Sequence, residues 1–256
     1  MTYTVITGAS SGIGYETALT FAEEGKNLIL VARREEKLEA LKKEIQNINS
    51  ELDVVVRVAD LSINEQVYNL YENLKEYEID TWINNAGFGN FDSVGDQDLP
   101  KIETMLRLNN EALTILSSLY VRDYADKEGT QLINVSSGGG YTIVADAVTY
   151  CATKFFVSAF TEGLAQELEG KGAKLKAKVL APAATETEFA ERSLDVDEFS
   201  YEQAVPQYHT AKEMAAFMLD LYKSDKVVGI VDGYTYEFSL RDPIYPYASR
   251  AADSDS

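Results

Sequence analysis

The chain has 256 residues, 45% of them apolar and 25% charged, enough to bury the core of one large domain. Its net charge of −19, from 23 basic and 42 acidic residues, repels phosphate backbones and anionic bilayers, so nucleic acid and membrane are poor partners. A single cysteine (Cys151) and a single histidine (His209) exclude a disulfide framework and a multi-ligand zinc site, and no metal centre is expected. Sparse cysteine fits a reducing compartment. No apolar run reaches the roughly 18 residues that span a bilayer, and the first residues show no secretory leader pattern. The expected location is the cytoplasm.

Short apolar runs alternate with longer amphipathic stretches. Residues 2–7 form a β-rich run that ends in a glycine-rich turn. Residues 16–24 place Ala18, Leu19, Phe21 and Ala22 at helical spacing before Gly25. Strands are predicted at 27–32, 53–58, 80–83, 131–135, 174–180 and 227–231. Helices are predicted at 35–48, 65–75, 100–124, 148–169 and 211–222. This alternation implies right-handed crossovers and a parallel sheet covered on both faces. The fold expected is α/β, a doubly wound Rossmann sheet of seven parallel strands, in one domain spanning 1–256. Residues 183–210 are long, acidic and irregular, and read as a substrate lid. Residues 234–256, with Pro243 and Pro246 among tyrosines, read as a C-terminal segment laid on the surface.

The first strand leads into Thr7-Gly8-Ala9-Ser10-Ser11-Gly12-Ile13-Gly14. Glycines at 8, 12 and 14 let the backbone turn tightly and let a pyrophosphate approach the helix N-terminus that follows. The end of the second strand separates NAD from NADP. A carboxylate there takes a ribose 2′-hydroxyl; an arginine takes a 2′-phosphate. Here Ala32 stands at the carboxylate position, followed by Arg33 and Arg34, which favours NADP over NAD. Glu35 and Glu36 fall in the next helix's first turn, where acids complement the dipole.

Tyr150 and Lys154, four apart, project from one helical face. A neighbouring ammonium favours a phenolate and lowers a tyrosine pKa, which makes the pair a candidate proton donor and acceptor. The preceding strand ends Asn134-Val135-Ser136-Ser137 and delivers hydroxyls to the carboxyl end of the sheet, where open α/β sheets bind ligands. The Asn-Val-Ser sequon there closes an apolar strand and reads as accidental.

Taken in order, these motifs resemble the short-chain dehydrogenase/reductase family over about residues 3–231. Thr7–Gly14 matches its cofactor turn and Asp60-Leu61 its adenine-contact position. Asn84-Asn85-Ala86-Gly87 matches its Asn-Asn-Ala-Gly motif, and Asn109 its helix asparagine. Ser137, Tyr150 and Lys154 complete the catalytic set. Pro182-Ala183 and Thr187 resemble its proline-glycine and threonine segment, with alanine where the family usually has glycine.

The resemblance implies the following roles. Tyr150 exchanges a proton with the substrate oxygen, and Lys154 holds the nicotinamide ribose and depresses the tyrosine pKa. Ser137 hydrogen-bonds the substrate oxygen, and Asn109 holds a water linking Lys154 to solvent. The cofactor is held by Gly8, Ser10, Ser11, Gly12, Ile13, Gly14, Arg33, Arg34, Asp60, Leu61, Asn85, Ala86, Gly87, Tyr150, Lys154, Pro182 and Thr187. Phe88, Phe91, Tyr141, Ile143, Val144, Phe189 and Tyr208 are candidate pocket walls for a hydrophobic carbonyl or alcohol. A homodimer or homotetramer is expected through the helices at 100–124 and 148–169, where Leu113, Leu116, Leu119, Phe155, Phe156 and Phe160 exceed one buried stripe. Ser136, Cys151 and Trp82 read as structural; His209 and Asn110 read as surface residues. An idle NADP-binding regulator on the same fold is the alternative, but it could have lost the tyrosine or lysine, and all four catalytic positions are filled. A sugar-nucleotide epimerase would need an added substrate domain, for which the chain has no room.

Overall fold

The computed structural model describes residues 1–248. In chain order the first half holds β1 (Thr2–Thr7), α1 (Gly12–Glu23), β2 (Asn27–Ala32), α2 (Glu35–Ile48), β3 (Val54–Val58), α3 (Asn64–Leu74) and β4 (Glu78–Asn84). Then come α4 (Leu99–Leu106), a π-helical turn (Arg107–Ala112), α5 (Leu113–Tyr124), β5 (Gln131–Val135), α6 (Val148–Gly170) and β6 (Lys176–Ala181). The last part holds β7 (Thr185–Glu186), α7 (Phe189–Leu194), α8 (Tyr201–Ala204), β8 (His209–Thr210), α9 (Ala211–Lys223), β9 (Val228–Val231) and β10 (Phe238–Arg241).

Eight strands form one sheet in the order β10-β9-β6-β5-β4-β1-β2-β3. Seven are parallel, and β10 pairs antiparallel with β9. The strands are apolar on both faces, as a sheet covered on both sides requires. Val5, Ile29, Val31, Trp82 and Leu132 pack under α3, α5 and α6 through Leu70, Leu116, Tyr120 and Leu168. Their neighbours Ile6, Leu28, Leu30, Ile83 and Ile133 pack under α1, α2 and α9 through Phe21, Leu38, Leu41, Met214 and Met218.

The structure refines four expectations. The sheet has eight strands, because part of the C-terminal segment adds β10 at the edge. That segment is pinned where it lies: Glu162, fully buried in α6, accepts the Tyr245 amide at 2.8 Å and the Tyr141 hydroxyl at 2.5 Å, and Tyr245 donates to the Gly140 carbonyl at 2.6 Å. Residues 249–256 of it lie outside the described chain. The helix expected at 100–124 is continuous but contains the π-helical turn, which carries Asn109. Inside 183–210, β7 and β8 pair as a two-stranded parallel ribbon, and α7 and α8 are single short turns.

Candidate active site

Because β1 to β6 run parallel, their carboxyl ends bring the glycine turn, Arg33 and Arg34, Asp60, the Asn85–Gly87 stretch, Ser137 and Pro182 to one edge of the sheet. Gly8 and Gly12 have φ of +69° and +57°, a region that disfavours side chains. A Cβ on Gly14 would fall 2.5 Å from the Gly8 carbonyl oxygen, so α1 can start there only with glycine. Ser11 leads α1 without a side-chain cap, and its first turn holds no acid. The leading amides and the positive dipole end therefore remain for an anion, which fits a dinucleotide pyrophosphate.

Arg34, rather than Arg33, lies against this turn. It donates to Ser10 Oγ at 3.0 Å and to Ser11 Oγ at 2.8 Å. Arg33 is largely exposed and 3.8 Å from Asp60. Asp60 also accepts from the Ser62 amide at 3.0 Å and the Ser62 hydroxyl at 2.7 Å, and Leu61 beside it is buried. Asn85 braces the turn: its Nδ2 donates to the Thr7 carbonyl at 3.0 Å. The Thr7 hydroxyl accepts the amides of Asn85 and Ala86 at 3.0 and 3.1 Å. Gly87 is crowded from the other side, since a Cβ there would lie 2.9 Å from Asn109 Oδ1.

Tyr150 and Lys154 are both buried near the start of α6. Lys154 Nζ donates to the Val135 carbonyl at 3.0 Å and sits 5.8 Å from the Tyr150 ring centre. Ser137 Oγ accepts the Gly139 amide at 3.0 Å, which fixes the Gly138–Gly140 turn. Burial pushes the Tyr150 phenol above its ordinary range, and the Ser137 hydroxyl acts in the opposite direction. Burial also lowers Lys154, to about 8. Desolvation is the largest influence on both groups, and the ammonium is anchored on a carbonyl.

The Asn109 side chain is fully engaged, accepting from the Phe88 amide at 3.1 Å and donating to the Phe88 carbonyl at 2.9 Å and to Thr153 Oγ1 at 3.2 Å. Its side chain thus joins the Phe88 loop to α6. Asn110, expected at the surface, donates to the Thr153 carbonyl at 2.9 Å. Both contacts explain the π-helical turn, which swings two successive asparagines toward α6. The Pro182 carbonyl accepts the Gly138 amide at 2.7 Å. Ala183 is half-buried against the core and is not among the positive-φ residues, so the methyl group fits where the family usually has glycine. Thr187 lies over the glycine turn: a Cβ on Gly12 would approach its Cγ2 to 2.9 Å.

Of the expected walls, Phe88, Phe91 and Phe189 pack around Tyr150 with Ile102, Met105 and Cys151. Ring centres of Phe91 and Phe189 lie 6.2 and 5.5 Å from that of Tyr150. Ile143 and Val144 are exposed. Tyr141 turns away onto Glu162 and stacks on Tyr245, and Tyr208 packs on Tyr201. Ser136 bonds the Lys154 carbonyl and Ser158, Trp82 is core, and Asn134 is buried against Thr161, so none of these is free for chemistry or glycosylation. His209 is not a plain surface residue; it is half-buried against Phe217 and Tyr236. Sequence reasoning missed Thr153, Glu162 and Tyr245. Thr153, beside Lys154, had a nearby signal; Glu162 and Tyr245 are 83 residues apart. Among the described residues no group of side chains could hold a metal ion, and no helix is long and apolar enough to cross a membrane.

The family model for short chain dehydrogenases matches residues 2–197. The chain is 29% identical over 218 residues to dehydrogenase/reductase SDR family member 11 of Gallus gallus, covering 83% of this chain and 84% of that one. It is 32% identical over 190 residues to the NADP-dependent 3-hydroxy acid dehydrogenase of Schizosaccharomyces pombe, covering 73% and 72%. Among solved structures, a short-chain dehydrogenase from Sphingobium yanoikuyae in complex with NADPH superposes with a TM-score of 0.81 at 30% identity, over 90% of this chain and 87% of that one. Fold, ordered motifs and these relatives agree, and the chain belongs to the short-chain dehydrogenase/reductase family, oxidoreductases acting on CH–OH and C=O groups.

Proposed function

We propose that this chain is an NADP-dependent reductase or dehydrogenase that interconverts a hydrophobic carbonyl compound and its alcohol, with Tyr150 as the general acid and base. The observation that carries this reading is the grouping of Tyr150, Lys154 and Ser137 at the sheet edge beside an uncapped α1 and Arg34. NADPH, when bound, supplies the hydride. Tyr150 Oη gives its proton to the carbonyl oxygen, and the Ser137 hydroxyl stabilises the charge that develops there. Lys154 has one carbonyl partner and keeps donors for a ribose. The preference for NADP rests on Arg34 at the turn and on Ala32, which offers no carboxylate to a 2′-hydroxyl; the fission-yeast relative and the Sphingobium neighbour point the same way. Phe91 and Phe189 around Tyr150, with exposed Ile143 and Val144 nearby in sequence to the Ser137 turn, support an apolar substrate under a lid formed by residues 183–210.

The single-domain reading, a cytoplasmic location and self-association through the helices at 100–124 and 148–169 belong to the same proposal. The test is Tyr150→Phe. A carbonyl panel followed by NADPH absorbance should show turnover reduced at least about 10²–10⁴-fold, with the NADPH dissociation constant within about twofold of the parent's. Near-normal turnover in that variant refutes the mechanism, and equal parent rates with NADH and NADPH refute the cofactor preference.

A further inference from the structure

In a chain of net charge −19, three cations gather at the cofactor turn around one carboxylate. Glu188, at the start of the lid helix α7, pairs with Arg34 at 2.9 Å, with Lys37 of α2 at 2.6 Å, and with Arg192 one turn along α7. The same Arg34 holds the hydroxyls of Ser10 and Ser11. Glu188 is placed there by the backbone: Thr187 before it lies against Gly12, and the Thr187 hydroxyl accepts the Phe189 amide at 3.2 Å. The carboxylate is held well ionised, at about 2, by Lys37 and Arg34 against the cost of burial. A phosphate monoester carries about −1.5 to −2 at neutral pH, more than the single charge of the carboxylate, so it is the stronger counter-ion for the three cations that Glu188 now holds.

We propose that Glu188 is a specificity-determining residue that acts from the lid: its carboxylate holds the cations that receive the 2′-phosphate of NADP, and the phosphate must displace it to bind. This rests on the NADP reading given above. A 2′-hydroxyl carries no charge and leaves the cluster closed, so Glu188 weakens the phosphorylated cofactor selectively. Lys37 and Arg192 thereby join Arg34 in the phosphate site, one from α2 and one from the lid. The apparent affinity of a phosphate ligand is reduced by the fraction of molecules in which the cluster is already occupied.

The experiment is a calorimetric titration of the full chain with adenosine 2′,5′-bisphosphate and with 5′-AMP. The parent should bind the bisphosphate at least about tenfold more tightly. Glu188→Gln, which keeps the shape and removes the charge, should tighten the bisphosphate by about three- to tenfold and leave 5′-AMP within about twofold. Glu186→Gln makes the same change of charge two residues away on an exposed position and should alter neither ligand. A parent that binds both ligands equally, with Arg34→Ala also without effect, overturns the NADP reading. A parent that prefers the bisphosphate while Glu188→Gln binds it no better leaves that reading standing and overturns the role of Glu188. Equal tightening in Glu186→Gln also overturns it, since long-range charge would then suffice.

Discussion

Lys154 shows at the scale of one residue how function is set against stability. Its ammonium is buried with a single carbonyl partner, and burial lowers it from 10.5 to about 8. A shift of that size corresponds to about 3 kcal/mol disfavouring the charged form in the folded chain, as an order of magnitude. Folded and unfolded chains are both protonated below about pH 8, so the full cost is present at pH 7. It is relieved as pH rises from about 8 to 10.5, where the folded state gives up its proton first. Lys154→Met should therefore be more stable than the parent at pH 7. The Val135 carbonyl loses its partner, which offsets about 1 kcal/mol. The net gain of about 1–2 kcal/mol should raise the melting temperature by about 2–6 °C, while turnover falls at least about 10²-fold. Thermal melts at pH 7 and pH 10 check this: the gap should shrink at the higher pH, and a variant less stable than the parent at pH 7 contradicts it.

At the scale of elements, two long-range ties hold the site's loops. The π-helical turn presents Asn109 and Asn110 to Thr153, so α6 and the Phe88 loop are joined through one residue of the Tyr150–Lys154 turn. On the far side, Glu162 fastens residues 244–245 while Tyr245 reaches the Gly140 carbonyl in the turn that follows Ser137. A fully buried carboxylate with hydroxyl and amide donors is satisfied; an amide in its place has two N–H groups facing donors. Glu162→Gln should cost about 1–3 kcal/mol, lower the melting temperature by about 2–8 °C, and speed hydrogen exchange at the Ile244 and Tyr245 amides. An unchanged melt with slow exchange at those amides means that the C-terminal strap is held by something other than Glu162.

At the scale of the whole molecule, apolar surface and charge work against each other. Leu113 and Leu116 are consumed by the core, so they are not surplus. Of the expected set Phe156 is exposed, stacked on Phe160 at 6.0 Å between ring centres, and Leu106 and Tyr68 are exposed as well. A two-fold contact over α3, α4 and α6 would cover that patch. A net charge of −19 opposes it through self-repulsion that salt screens. Sedimentation at micromolar concentration should show a dimer or tetramer, more tightly associated at 0.2 M than at 0.02 M salt on the order-of-magnitude scale of the Debye length. Phe156→Glu should shift it to monomer; a monomeric parent under both conditions rules the interface out.

The alternation of strands and helices was legible in the sequence because strands buried on both faces need unbroken Val, Ile and Leu runs, and the helices between them need apolar stripes at another period. The candidate site was legible in part for a related reason: Tyr150 and Lys154 lie one helical turn apart, and the glycine turn is contiguous, so local spacing records both. Tertiary structure alone decided the rest. Position along the chain does not tell Arg33 from Arg34; the side chain that meets Ser10 and Ser11 depends on how β2 leaves the sheet beside β1. The edge strand β10 forms because β9 leaves an unpaired edge, and Phe238–Arg241 lacks the length and alternation that would announce it. Glu188 reads as one more acid in an acidic loop until Thr187 settles on Gly12 and carries it to Arg34 and Lys37, which are distant in sequence. Periodicity and spacing report contacts within about one turn or one strand, whereas charges and hydrogen bonds across the sheet edge exist only once the parallel strands have brought their ends together.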